Sequence, residues 1–380
     1  MKKKYIIFFI VTLVLLVALI TSFNYFKTTN AYIDDSVNNQ TKITKGISMN
    51  LEQTAGAGDY KTVTRSSWPT EGYKFNAELS RCENGSTLSW DDTKKAVIVS
   101  GNLSDKCYVY FDIYQPTLAE YIKSQYTGTQ GDNGIYYHNS TLANGAGDNS
   151  YRYAGASDSV NNYVCLGSDE ATCPDANLFR IIGVFGDQTK VIRAKSVGDK
   201  AWHSSSSNTW SSSSLNTYLN GEYLTSLGTL ADKIATTTWK VGGGTWSNIA
   251  TSVPKTAYQN EVGSSASSTT VDKKIGLMYV SDYYYSASPS AWTLVGYNSN
   301  DATKDYRAAT STNWLYLGSY EWTISRNSGN TTLAFGVFSS GSVSYITVTS
   351  SYAARPSFNL LSSTTYVSGS GSMSDPVRVN

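Results

Sequence analysis

Apolar residues fill one long stretch near the amino end, Tyr5 to Phe26, broken only by Thr12, Thr21, Ser22 and Asn24; elsewhere they come in short runs cut by Gly, Ser, Asn and Asp. The long stretch is enough to cross a bilayer as a helix, which takes roughly 20 residues. Lys2, Lys3 and Lys4 precede it, which holds the amino end in the cytoplasm and sends everything after Lys27 outside. The pattern predicts a transmembrane signal anchor over residues 1–27. A cleaved secretory signal is the rival reading, because Ala31 allows a late cut although no small-x-small site directly follows the apolar core. Both readings export the chain.

Residues 28–45 are polar and unpatterned and read as a stalk. Over 46–114 the runs YKFNAELSRCENG, STLSWDD, KAVIVSG and KCYVYFD are short and separated by turn residues, with alternation through Lys106–Phe111 and an apolar Ala96–Val99. These are strand signals and predict a small antiparallel β-sandwich. Residues 115–380 form a larger domain. It opens with helical spacing of Leu118, Tyr121 and Ile122 within Thr117–Tyr126, followed by a Gly-, Asn- and Asp-rich stretch. LFRIIGVF and KVIRAKS then predict two buried strands around a Gly186-Asp187 turn. SSSSLNTYLNGEYLTSL predicts a Ser-capped amphipathic helix. DKIATTTWKVGG, KIGLMYVSDYYYSA, WLYLGSYEWTISR, FGVFSSGSVSYITV and SFNLLSS predict further strands, so the fold class is α+β and β-rich.

Composition agrees: 29 Tyr, 9 Trp and 30 Gly with only 16% charged residues suit pleated, half-buried surfaces joined by turns. Of 30 basic residues, Lys2, Lys3, Lys4 and Lys27 flank the anchor, which leaves 26 against 29 acidic ones outside. Such an ectodomain lacks the basic stripe that nucleic acid requires, so no nucleic-acid partner is expected. The four Cys form two close pairs, Cys82 with Cys107 and Cys165 with Cys173. Their proximity favours those two disulfides among three possible connectivities, the first tying the first strand of the small unit to its last. The chain-entropy model gives them about 3.5 and about 2.5 kcal/mol. Neither pair has zinc-knuckle spacing and His138 and His203 are the only histidines, so no metal and no cofactor are expected.

The ordered series LFRIIGVF, W with SSLNTYLN, KIGLMYVSDYYYS, EWTISR, GSV, ARPSFNL and SGSGSMSDPVRV resembles a large group of uncharacterised surface proteins of Gram-positive and related bacteria. The carboxy-terminal domain of that group is similar to the C-type-lectin-like core of formylglycine-generating enzymes. The resemblance covers about Thr117 to Asn380, and SRCENGSTLSW with DKCYVYFD looks like a recurrent companion of that domain. It implies a C-type-lectin-like fold and leaves function open, since this core hosts binding and catalysis alike. Formylglycine-generating enzymes work through carboxy-terminal cysteines, and none follows Cys173; the Glu-Pro-Asn and Gln-Pro-Asp calcium motifs of sugar-binding lectins are absent too.

Chemistry-bearing candidates are few, and the chain is not expected to be an enzyme. His203 sits among serines beside Trp202 and reads as a packed loop residue, as does His138, because no nucleophile elbow accompanies either. Asp132, Asn133, Asp148 and Asn149 offer oxygen donors without EF-hand spacing. Asp282 and Glu321 are the carboxylates with which a hydrolase of surface polysaccharide would work. The competing reading gives Asp282 a structural ion pair with Arg355, or with Arg326, because a part-buried carboxylate needs a partner. Tyr283, Tyr284, Tyr285, Trp292, Trp314 and Tyr320 are the candidate binding face, flat and apolar with Asn and Ser around them, unless Trp314 and Trp322 are core. The expected role is thus binding or scaffolding at the cell membrane, single-pass with the carboxy-terminal domain outside, with a cell-wall glycan or surface protein as partner. A pilin-like subunit is the other structural class, but the apolar run has neither a preceding Gly nor an acidic residue.

Overall fold

A computed structural model describes residues 46–64, 67–69, 72–102 and 105–380, with the backbone pairing of 32–33. The predicted anchor and nearly all of the stalk lie outside the described residues, among which no helix is long and apolar enough to cross a membrane. The chain divides into two units, Met1–Gln115 and Pro116–Asn380.

The strands of the first unit are β1 (Tyr32–Ile33), β2 (Ile47–Glu52), β3 (Tyr60–Val63), β4 (Tyr73–Cys82), β5 (Thr87–Asp91), β6 (Ala96–Ser100) and β7 (Cys107–Ile113). In β7 the alternation buries Cys107, Val109 and Phe111 and turns Tyr108 and Tyr110 to the other face. One sheet runs β3-β2-β7-β4 and the other β1-β6-β5. Met49, Leu51, Val109 and Phe111 of the first sheet meet Val97 of the second, and the Phe111 ring lies 5.7–5.9 Å from those of Trp68, Phe75 and Trp90. The predicted all-antiparallel arrangement is corrected: β2 runs parallel to β7 and β1 parallel to β6, because the intervening chain crosses over before pairing. Cys82 and Cys107 are bonded across the β4–β7 register pair with Cα atoms 4.0 Å apart. The bridge ties β4, not the first strand, to the last.

In the second unit α1 (Leu118–Ser124) is the helix predicted at Thr117. Its capping box has Thr117 Oγ1 accepting from Glu120 N while the Glu120 carboxylate accepts from Thr117 N. After β8 (Ile135–Tyr137), β9 (Tyr151–Tyr153) and β10 (Tyr163–Cys165) come the two predicted buried strands, β11 (Leu178–Phe185) and β12 (Gln188–Arg193), turning at Gly186-Asp187. A Cβ on Gly183 of β11 would stand 2.3 Å from the Tyr151 carbonyl, so glycine lets β9 pair at that point. The Cys165–Cys173 disulfide closes the loop after β10.

β13 (Asp199–Ala201) precedes α2 (Ser214–Tyr218), which Ser213 caps and which continues through a π turn at Leu219–Tyr223 to Ser226. Then follow β14 (Thr237–Lys240), α3 (Pro254–Glu261), β15 (Thr270–Lys273), β16 (Ile275–Gly276) and α4 (Val280–Tyr285). The last strands are β17 (Glu321–Arg326), β18 (Leu333–Val337), β19 (Val343–Thr347), β20 (Ser351–Ala353), β21 (Ser357–Asn359), β22 (Tyr366–Ser368) and β23 (Val377–Val379). The larger sheet has the order β16-β21-β12-β11-β10-β23-β22, with β9 and β8 branching from β11; a second is β13-β20-β17-β18-β19, and β14 pairs with β15. A large core holding Phe179, Val191, Trp202, Trp322 and Phe358 runs through this unit, and a second, smaller cluster holds Ala146, Ala154, Tyr258, Tyr285 and Trp292. The segment KIGLMYVSDYYYSA is mostly not the predicted strand, because only Ile275–Gly276 pairs and Val280–Tyr285 turns into α4.

Candidate functional site

α4 begins inside the protein, where its first N–H groups have no water to meet and need acceptors. Two carboxylates supply them. Asp282, at the third helical position, accepts from Tyr279 N at 2.8 Å, and Glu261, at the end of α3, accepts from Val280 N at 3.0 Å and Ser281 N at 2.7 Å as well as from Ser325 Oγ. Burial raises the Glu261 carboxyl to about 6 despite these donors.

Asp282 also draws in two cations. Lys190, on buried β12, donates from Nζ to Asp282 Oδ2 at 2.5 Å. Burial pulls the Lys190 ammonium below its ordinary range, and Asp282 resists that pull. The ammonium lies 4.7 Å from the Tyr279 ring centre and 5.4 Å from that of Trp239, within cation–π reach. Arg152, on β9, donates from Nη2 to Asp148 Oδ2 at 2.7 Å and from Nε to Ser150 Oγ at 2.8 Å, while its Nη1 stops 3.9 Å from Asp282 Oδ1. Burial works against the Asp148 anion, but Arg152 and Ser150 overcome it and hold this carboxyl below the usual range.

Arg152, Lys190 and Asp282 line a cavity of about 160 Å³ whose other walls include Trp239, Tyr258 and Asn359. Asp282 Oδ2 already accepts from Tyr279 and Lys190, whereas Lys190 gives only one of its three N–H groups to a hydrogen bond. Asn359 donates to Thr237 Oγ1, and its buried Oδ1 has no partner. Lys190 therefore leaves donors, and Asn359 an acceptor, at a small, aromatic-walled cavity, which suits a compact ligand bearing acceptor groups and a donor.

The predicted binding face is overturned at five of its six positions. Tyr283, Tyr284, Tyr285, Trp292 and Trp314 are all at most 3% exposed. The helix is enclosed on every side, and each ring anchors itself to a distant carbonyl: Tyr283 to Gly341, Tyr284 to Ile249, Tyr285 to Asn144 and Trp314 to Tyr153. Tyr320 alone is exposed, stacked on Tyr352 at 5.0 Å. The predicted ion pair is corrected as well. Asp282 pairs with Lys190, and Arg355 clasps Glu321 with two hydrogen bonds of 2.5 and 2.8 Å, because each charge finds its partner on the nearest packed element. Glu321 does not line the cavity at Asp282.

Other candidates have local duties. Asp148 belongs to Arg152, Asp132 accepts from Thr127, and Asn149 accepts from Tyr137. His203 turns Nδ1 to the N–H of Ser205, so no carboxylate orients its ring. His138 is fully buried; Nδ1 accepts from Ala146 N, and Nε2 has no partner. Burial, and then the charge of Arg152, drives its ring well below the ordinary imidazole range. Lys190, Arg152 and Glu261 were missed by sequence reasoning; the one available signal was a lysine directly before the apolar pair Val191-Ile192 in a strand expected to be buried.

The buried acid and base give opposite pH dependences. Folded His138 resists the proton that the unfolded chain takes up near 6.5, so its contribution is complete above 6.5 and is lost as pH falls. Folded Glu261 holds its proton up to about 6 against 4.5 when unfolded, so its contribution is complete below 4.5 and is lost as pH rises through 6. Glu261→Gln should therefore gain on the wild type by about 2 kcal/mol between pH 4.5 and 7, as read from paired denaturation curves, and His138→Phe should gain as pH falls below 6.5. A pH-independent difference for either variant would contradict the assignment.

In comparisons with family models, curated proteins and solved structures, the chain matches none.

Proposed function

We propose that the chain is a membrane-anchored, extracytoplasmic binding or scaffolding protein whose carboxy-terminal unit recognises a cell-wall glycan or surface protein. The observation that carries this reading is the Lys190–Asp282 cavity, where aromatic walls surround cationic donors that the protein leaves partly unused. Export is supported by the apolar amino-terminal run and by both disulfides, which belong to oxidising compartments. A binding role is favoured over hydrolysis, since the two candidate carboxylates are already paired with cations and do not line one cavity.

The test is retention of the purified full chain on Gram-positive cell walls, glycan arrays and matrix proteins. Retention on at least one is expected; passage through all of them would refute the reading.

A further inference from the structure

A second cavity, of about 240 Å³, has a different chemistry. Tyr121, Gln125, Asn133, Tyr153, Ser159, Asn161 and Ser370 bring only amides and hydroxyls to it, and no Asp, Glu, Lys, Arg or His lines it. The site is built from separate segments held in place. Gln125 caps the end of α1, and its carbonyl accepts from Asn133 Nδ2 at 2.8 Å. The Tyr121 ring stacks on Tyr366 at 3.7 Å. Gly371, with φ +82°, lies so close to Asn161 that a Cβ would stand 2.5 Å from its carbonyl, which brings Ser370 and Asn161 to one wall.

Tyr153 is the unexplained member. It is 5% exposed, yet its hydroxyl makes no hydrogen bond to any described residue. That hydroxyl is not sealed from solvent: it keeps some exposure on a residue that lines the cavity, so a ligand oxygen can reach it. Amides and hydroxyls both donate and accept, as sugar hydroxyls do, and the lack of charge disfavours an ionic ligand.

We infer that this cavity binds a neutral saccharide ring, with the Tyr153 hydroxyl and the amides of Gln125 and Asn161 addressing its hydroxyls. The inference deepens the binding reading and rests on it, but it uses different residues from the Lys190 cavity.

Tyr153→Phe tests it cleanly. The change deletes only an unpartnered hydroxyl, so the melting temperature should hold. N-acetylglucosamine, glucose and glucuronate are titrated by calorimetry into the full chain, kept in a detergent without a sugar headgroup. Binding of at least one neutral sugar, no tighter binding of glucuronate, and a loss of about tenfold in Tyr153→Phe are expected, one hydrogen bond corresponding to roughly that factor. Asn161→Ala, at an exposed position, should weaken binding in the same sense. Neutral-sugar affinity unchanged in both variants, tighter binding of glucuronate, or no binding of either neutral sugar would overturn the inference. Wild-type retention on cell walls alongside any of those results would leave the broader binding reading standing.

Discussion

Arg355→Met is expected to lower the stability of the carboxy-terminal unit by about 3–5 kcal/mol, because it strands a buried carboxylate. Glu321 and Arg355 are 1% and 3% exposed, and the guanidinium also donates to the Leu315 carbonyl at 2.6 Å. Burial already pushes the Glu321 carboxyl up, and Arg355 is what holds it down. Without that cation the carboxyl takes up a proton more readily, so the loss should shrink at acid pH. Glu321→Leu combined with Arg355→Met should recover most of the loss, since buried pairs replaced together by apolar groups are often neutral. A double-mutant cycle measured by denaturant unfolding should couple Arg355 to Glu321 and Asp282 to Lys190, and leave Asp282 and Arg355 additive. Strong Asp282–Arg355 coupling would contradict the assignment of partners.

Cys82→Ser with Cys107→Ser is expected to destabilise the amino-terminal unit by about 2–5 kcal/mol. The bridge closes a separation of 25 residues between adjacent strands, and Cys107 is 1% exposed at the base of β7. Its loss frees the ends of β4 and β7 in the unfolded chain and puts a hydroxyl at the buried position 107. The small core, with five buried apolar residues among those described, offers little compensation. Thermal melting with and without reductant reads the effect; an unchanged transition in the double variant would show that the bridge does not support this unit.

Much of the fold was legible because period and punctuation are local. Alternation marked β7, the Gly186-Asp187 turn separated β11 from β12, and serine ahead of an apolar stripe marked α2. The segment around Tyr283 misled for a physical reason. Aromatic and β-branched residues carry strand propensity, but that propensity reflects packing, and here Glu261 from α3 and Asp282 from the helix's own first turn cap a helix that the core encloses. Burial of the three tyrosines follows from that enclosure. The ion pairs were hidden likewise: Asp282 and Lys190 are 92 residues apart, and nothing in the spacing says which of several cations reaches the carboxylate. Asp282 was singled out correctly as a part-buried carboxylate in need of a partner, while Arg152 and Glu261 gave no signal.

The most direct measurement compares cell-wall retention of the full chain with that of a Lys190→Met/Asp282→Asn variant. The variant removes both charges together, and the amide oxygen still accepts from Tyr279 N, so its melting temperature should stay near that of the wild type. The account predicts that the wild type is held on the wall material and that the variant is held markedly less. Equal retention of the two proteins would contradict it.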